Sequence, residues 1–154
     1  MRSVRTALWA LLACLAACAT PPLTLPKDFV ALGDRGDGYR AITADDARLR
    51  VRTLDEATEG GIEFWSDALA NDCVQQRGYQ LVERGEIADR EGKAGRWLEF
   101  TANVDGERVG LLVAVWVRER WMGKPCLQVA EFAARSEVFA ARLPAVKASL
   151  ATMH

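Results

Sequence analysis

The densest apolar stretch of the chain is residues 107–118, where Val109, Leu111, Val113, Val115 and Val117 share one parity and Leu112, Ala114 and Trp116 the other. A strand that is apolar on both parities must be covered on both faces. Asp105-Gly106 immediately precedes it and is a strong hairpin signal. The strand's partner is therefore residues 96–104, where Leu98, Phe100, Ala102 and Val104 alternate with other positions. In residues 48–54, Leu49 and Val51 alternate with Arg48, Arg50 and Arg52, the pattern of a half-buried strand. Further strands are expected at 29–32, 39–43, 79–88 and 126–133.

The period changes at residues 62–76. There Ile62, Trp65, Leu69 and Cys73 fall on one helical stripe, and Gly78 supplies a left-handed stop. A second helix is expected from Ser136, with Phe139, Leu143, Val146 and Leu150 as its stripe. Pro144 lies inside it and removes an amide donor, so a kink or a break is expected near Arg142. The fold class is α+β: a twisted antiparallel sheet of about six to seven strands between helices, in the order βββαββββα. Tyr39-Arg40-Ala41-Ile42, Leu49-Arg50-Val51, the helix from Phe64-Trp65 to Gly78-Tyr79, Gly95-Arg96-Trp97-Leu98-Glu99-Phe100 and the terminal helical stripe together resemble the PsbP and DcrB superfamily. That resemblance covers most of residues 27–152 and implies an accessory, non-enzymatic subunit.

Before the domain, Arg2 and Arg5 precede an unbroken apolar run at residues 7–17, the arrangement of an export signal. Eleven residues of helix reach roughly 16 Å, about half of a hydrocarbon core, so the run does not span a bilayer. Leu15-Ala16-Ala17-Cys18 closes it and resembles the bacterial lipobox, which implies cleavage after residue 17 and diacylglycerol on Cys18. An ordinary signal peptide cut after a small residue is the alternative. Ala19 follows the cysteine where an inner-membrane retention signal would place aspartate, so the resemblance implies an outer-membrane lipoprotein facing the periplasm. Thr20-Pro21-Pro22-Leu23-Thr24-Leu25-Pro26 reads as an extended tether. The expected organisation is a signal peptide at 1–17, a lipidated terminus and tether at 18–26, and one globular domain at 27–154.

With Arg2 and Arg5 in the signal segment, 18 basic residues face 21 acidic ones. This slightly acidic balance lacks the basic surplus that nucleic acid demands. The single histidine is His154, and no CxxC pair is present, which removes the usual zinc sites and the histidine-based nucleophile systems. No phosphate-binding glycine loop opens a helix. Carboxylate pairs such as Glu83 and Glu86 are ordinary in a chain that is 27% charged. No metal, cofactor or enzymatic activity is expected, a hydrolase being the residual possibility.

Cys73 and Cys126 are the two cysteines beyond the lipobox region, and an exported protein keeps cysteines oxidised. A disulfide between them, closing a loop of about 53 residues and worth about 4 kcal/mol, is expected; two buried thiols are the alternative. Arg48, Arg50 and Arg52, with Arg118, Arg120 and Trp121 at the end of the central strand, are candidate contacts for a partner protein or an anion. Trp65, Trp97 and Phe100 are candidates to line a pocket for a small apolar ligand. The expectation is a membrane-anchored envelope protein that binds a protein partner; a carrier of an apolar ligand or lipid is the alternative.

Overall fold

The computed structural model describes residues 21–34, 36–55 and 60–154; the signal segment and Cys18 lie outside the described residues. The elements are β1 (Val30–Asp34), β2 (Tyr39–Ile42), β3 (Arg48–Leu54), α1 (Ile62–Asn71) continuing into a π-helical turn (Asp72–Gln76), β4 (Gln80–Ala88), β5 (Ala94–Val104), β6 (Glu107–Arg118), β7 (Cys126–Arg135) and α2 (Ser136–Leu150). The strands form one seven-stranded sheet in the order β1-β2-β3-β7-β6-β5-β4, with every neighbouring pair antiparallel. This is the predicted α+β architecture and element order.

The two parities of β6 separate as the sequence requires. Leu111, Val113 and Val115 join Leu98, Phe100, Leu127, Val129, Ala70 and Cys73 in the core beneath α1. Leu112, Ala114 and Trp116 join Ala130, Phe132, Phe139, Val146 and Leu150 in the core beneath α2. Asp105 and Gly106 both have positive φ, 51° and 84°, as the tight β5–β6 hairpin demands. Gly78 adopts φ 71° and ends the first helix. The Tyr79 amide donates to the Cys73 carbonyl at 3.0 Å, a closure widened by the π turn before it.

Two elements depart from expectation. α1 meets the sheet most closely through Ser66 and Ala70, which are buried, while Ile62, Trp65 and Leu69 flank that line half-buried. Small residues let the helix approach, and the large ones fill the margins. α2 runs from Ser136 to Leu150 without a break at Pro144, correcting the predicted interruption. Phe139 on one side of the proline and Val146 and Leu150 on the other are seated in the same core. Pro144 and Ala140 both face solvent, so the carbonyl that loses its amide partner can be hydrated.

Both edge strands carry an irregularity. In β1 the register shifts between Ala31 and Gly33, and in β4 between Leu81 and Glu83, leaving Leu32 and Val82 exposed at 49% and 59%. Such bulges twist an edge away from regular pairing with another strand.

The stretch 22–29, read from sequence as a tether through Pro26, is packed against the domain. Leu23 is 2% exposed and Phe29 is 9% exposed, both in the α2-side core. The Thr24 amide donates to Thr152 Oγ1 at 2.8 Å, and Ser149 Oγ donates back to the Thr24 carbonyl. The His154 amide donates to the Pro22 carbonyl at 3.1 Å. Alternating apolar residues in a proline-rich segment are thus used as a strap, and the packed domain includes the chain from Pro22 onwards.

Candidate functional site

The helices leave part of the sheet open. On the α1 side, α1 lies over β5 and β6, while among the described residues the surface of β2 and β3 bearing Arg40, Ile42, Arg48, Arg50 and Arg52 has no helix above it. The three predicted arginines are all ion-paired. Arg48 Nε lies 3.0 Å from Asp46, Arg50 Nη2 lies 3.3 Å from Asp37, and Arg52 Nη2 lies 3.1 Å from Glu131. Arg40 also pairs with Asp37. The face is therefore a lattice of alternating charge, suited to exchanging pairs with a partner's own charged side chains.

This face leads into an open cleft of about 520 Å³ at the end where β2 starts and β3 runs on past it. Arg50, Arg52, Tyr39, Asp37, Pro22 and Gln128 are among the lining residues. The Tyr39 hydroxyl is buried without a hydrogen-bond partner among the described residues, and burial pushes its ionisation above the ordinary tyrosine range. Among the described residues no group of three His, Cys, Asp or Glu side chains could hold a metal ion.

Behind the cleft, a polar network ties the strap to the sheet. The Asp89 side chain is fully buried, and its Oδ1 accepts the amides of Glu91 and Lys93 at 2.9 and 2.7 Å. Its other oxygen pairs with Arg118. Burial alone would raise the Asp89 carboxyl, but the Arg118 guanidinium and the two amides outweigh it and hold the group below the usual carboxylate range. Arg118 also donates to Gln128 Oε1 at 2.8 and 2.6 Å, and Gln128 Nε2 donates to the His154 carbonyl at 3.1 Å. Arg118, predicted as a surface contact, is instead an internal strut. Nothing in the mixed polar sequence around Asp89 distinguished it from a solvated turn.

The β6–β7 hairpin projects from the same end. Arg120 pairs with Asp55, and Trp121 and Met122 at the tip are 95% and 73% exposed. Of the six predicted contact residues, Trp121 is the most open.

Two other predicted groupings are corrected. Cys73 and Cys126 are both free and buried. Strand parity explains why: Cys73 belongs to the α1-side core with Leu127 and Val129, whereas Cys126 has the parity of Ala130 and Phe132, which face α2. The sheet itself separates the two thiols. Parity likewise divides the predicted ligand pocket. Trp65 and Phe100 lie in the α1-side core, while Trp97 faces α2, where Lys147 Nζ sits 3.4 Å from its ring centroid and 3.6 Å from Glu99. The three aromatics therefore line no common pocket.

No known protein-family description matches the chain, and no curated protein matches it in sequence. Solved structures do share its fold. LpqN, involved in cell envelope biogenesis of Mycobacterium tuberculosis, superposes with a TM-score of 0.61 at 10% identity over 83% of this chain and 78% of its own. PA94 of Pseudomonas aeruginosa, a protein of unknown function, gives 0.59 at 15% identity over 85% and 84%. The Saccharomyces cerevisiae Ran-binding protein Mog1p gives 0.58 at 11% identity over 85% of each chain. At these identities what the chain shares with them is the three-layer α+β fold.

Proposed function

We propose that the chain is an envelope lipoprotein, anchored through diacylglycerol on Cys18, that serves as a non-enzymatic protein-binding module. The observation that carries this reading is the strap: the chain is fixed to the domain at Pro22, four residues after Cys18, by the His154 amide and the buried Leu23. An anchor so close to the folded unit suits a protein held against a membrane with its open arginine face turned towards a neighbour. The envelope-biogenesis role of LpqN and the Ran binding of Mog1p are compatible with this use of the fold.

The partner surface is the uncovered β2–β3 face with Arg40, Arg48 and Arg50. A photo-crosslinking residue at position 48, in protein expressed with its native amino terminus, should capture one reproducible envelope protein. The same residue at Ala140, on the solvent side of α2, should not. Cys18→Ser should abolish lipid labelling and release the protein from the membrane fraction. A Cys18→Ser protein that remains membrane-bound, or a lipidated protein with no neighbour at position 48, defeats the respective half of this reading.

A further inference from the structure

The strap fixes which end of the domain an anchor would draw to the membrane. Four extended residues span at most about 14 Å. With lipid on Cys18, Pro22 and the elements around it must lie within that reach of the headgroups. Those elements are Gly36–Gly38, the Asp89–Lys93 turn and the β6–β7 hairpin: Gly36, Gly38, Leu54 and Gln128 line one cleft with Pro22, the Arg90 amide bonds to Met153 beside the His154–Pro22 contact, and Leu54 pairs with Leu127 where the hairpin begins. The β2–β3 and β5–β6 turns close the opposite end.

Large exposed apolar side chains are distributed unevenly between the two ends. Val30, Leu32, Leu81 and Val82 lie along the edge strands, Phe64 lies in the first turn of α1 with its ring packed edge-on to Trp65, and Val104 lies at the far end. At the end bearing the strap, the hairpin tip places Trp121 and Met122 side by side, almost wholly in solvent. Tryptophan is enriched at membrane–water interfaces, where one ring satisfies both an apolar and a wet environment. A firmly held lipid anchor beside such a tip leaves it little solvent to face.

We propose that the β6–β7 hairpin tip, through Trp121 and Met122, inserts into the lipid headgroup region as a second membrane contact beside the anchor. This rests on the lipidation of Cys18 proposed above. Arg120 is already neutralised by Asp55, and Glu119 offsets Lys124 within the hairpin. The contact is therefore apolar and interfacial, and independent of anionic lipid. It orients the domain end-on, with the β2–β3 face standing upright from the bilayer.

The test uses the mature lipidated chain reconstituted in phosphatidylethanolamine–phosphatidylglycerol vesicles that carry shallow brominated lipid. Tryptophan emission should be blue-shifted relative to the unlipidated Cys18→Ser protein in solution, and quenched relative to the same vesicles without bromine. Most of that quenching should vanish in Trp121→Ala, whose fold the exposed position leaves unchanged by circular dichroism. Replacing phosphatidylglycerol with phosphatidylcholine should leave the quenching unaltered. Vesicle-retained protein whose quenching is the same in Trp121→Ala, or that is quenched only with anionic lipid, overturns the hairpin contact while sparing the anchor. Protein that does not stay with the vesicles removes the anchor reading and the hairpin contact with it. A position-121 crosslinker that captures an envelope protein in cells instead of lipid also overturns the proposal.

Discussion

Replacing Asp89 by asparagine removes the negative charge at the centre of the network that joins the β4–β5 turn, β6, β7 and the strap. The asparagine oxygen can still accept the Glu91 and Lys93 amides, but Arg118 loses its counter-charge and keeps only Gln128. Breaking a fully buried pair from one side costs about 3–5 kcal/mol. The Arg118 side chain is 19% exposed and retains some hydration, which brings the expected loss to about 2–3 kcal/mol at pH 7. With a urea slope of about 1.5 kcal/mol per molar, the unfolding midpoint should fall by roughly 1.5 M. The Asp89 carboxyl is held below its ordinary value when folded, so its contribution is complete above the unfolded value of about 3.9 and is lost as pH falls through the lower folded value. Urea melts followed by far-ultraviolet dichroism should therefore show a constant gap between wild type and Asp89→Asn from pH 5 to 8, closing below about pH 4. Arg118→Met combined with Asp89→Asn should be less harmful than the two single losses together. A gap under about 0.5 kcal/mol at pH 7, a gap that widens on acidification, or strict additivity would refute the reasoning.

Gly110→Ala should lower stability by about 1–3 kcal/mol, because a methyl there would lie 2.3 Å from Phe139 Cγ, with thermal unfolding as the measurement. Leu23→Ala should cost about 2 kcal/mol and strip hydrogen-exchange protection from the Thr24, Met153 and His154 amides while sparing β6. Without reductant, the peptides bearing Cys73 and Cys126 should both take up alkylating reagent in denaturant. Native protein should react slowly, since burial pushes the Cys73 thiol above its ordinary range and both cysteines are buried. A fraction refractory to alkylation in denaturant would show a disulfide and contradict the parity argument.

Where one-dimensional pattern corresponds to one physical cause, the chain was readable. β3 and β6 begin and end where alternation predicts, because burial acts on each residue according to its parity. Gly78 and Asp105-Gly106 were readable because positive φ is a local demand. The π turn after α1 was invisible, since it leaves the apolar spacing almost intact. Pro144 misled because its local cost is met by packing on either side of it, which no window of sequence contains. The strap was mistaken for a linker for a related reason: its hydrogen-bond partners, Ser149, Thr152 and His154, lie more than 120 residues away, at and beyond the end of α2.

The candidate site was less legible still. Cys73 and Cys126, and Trp97 with Phe100, were grouped by proximity along or between elements, yet a sheet is a wall that divides neighbours by parity. Asp89 gave no signal because a buried acid and a solvated acid look the same until Arg118 arrives from another strand.

The strap also has a mechanical side. Any force transmitted along the chain from its amino-terminal end arrives first at Pro22 and Thr24, where the hydrogen bonds to His154, Thr152 and Ser149 and the Leu23 side chain take the load together. β1, a short edge strand with a bulge, lies beyond that clasp and is shielded from the pull. A domain pulled from that end would thus yield, if at all, by unfastening a few terminal residues, leaving the sheet and its open face in working order.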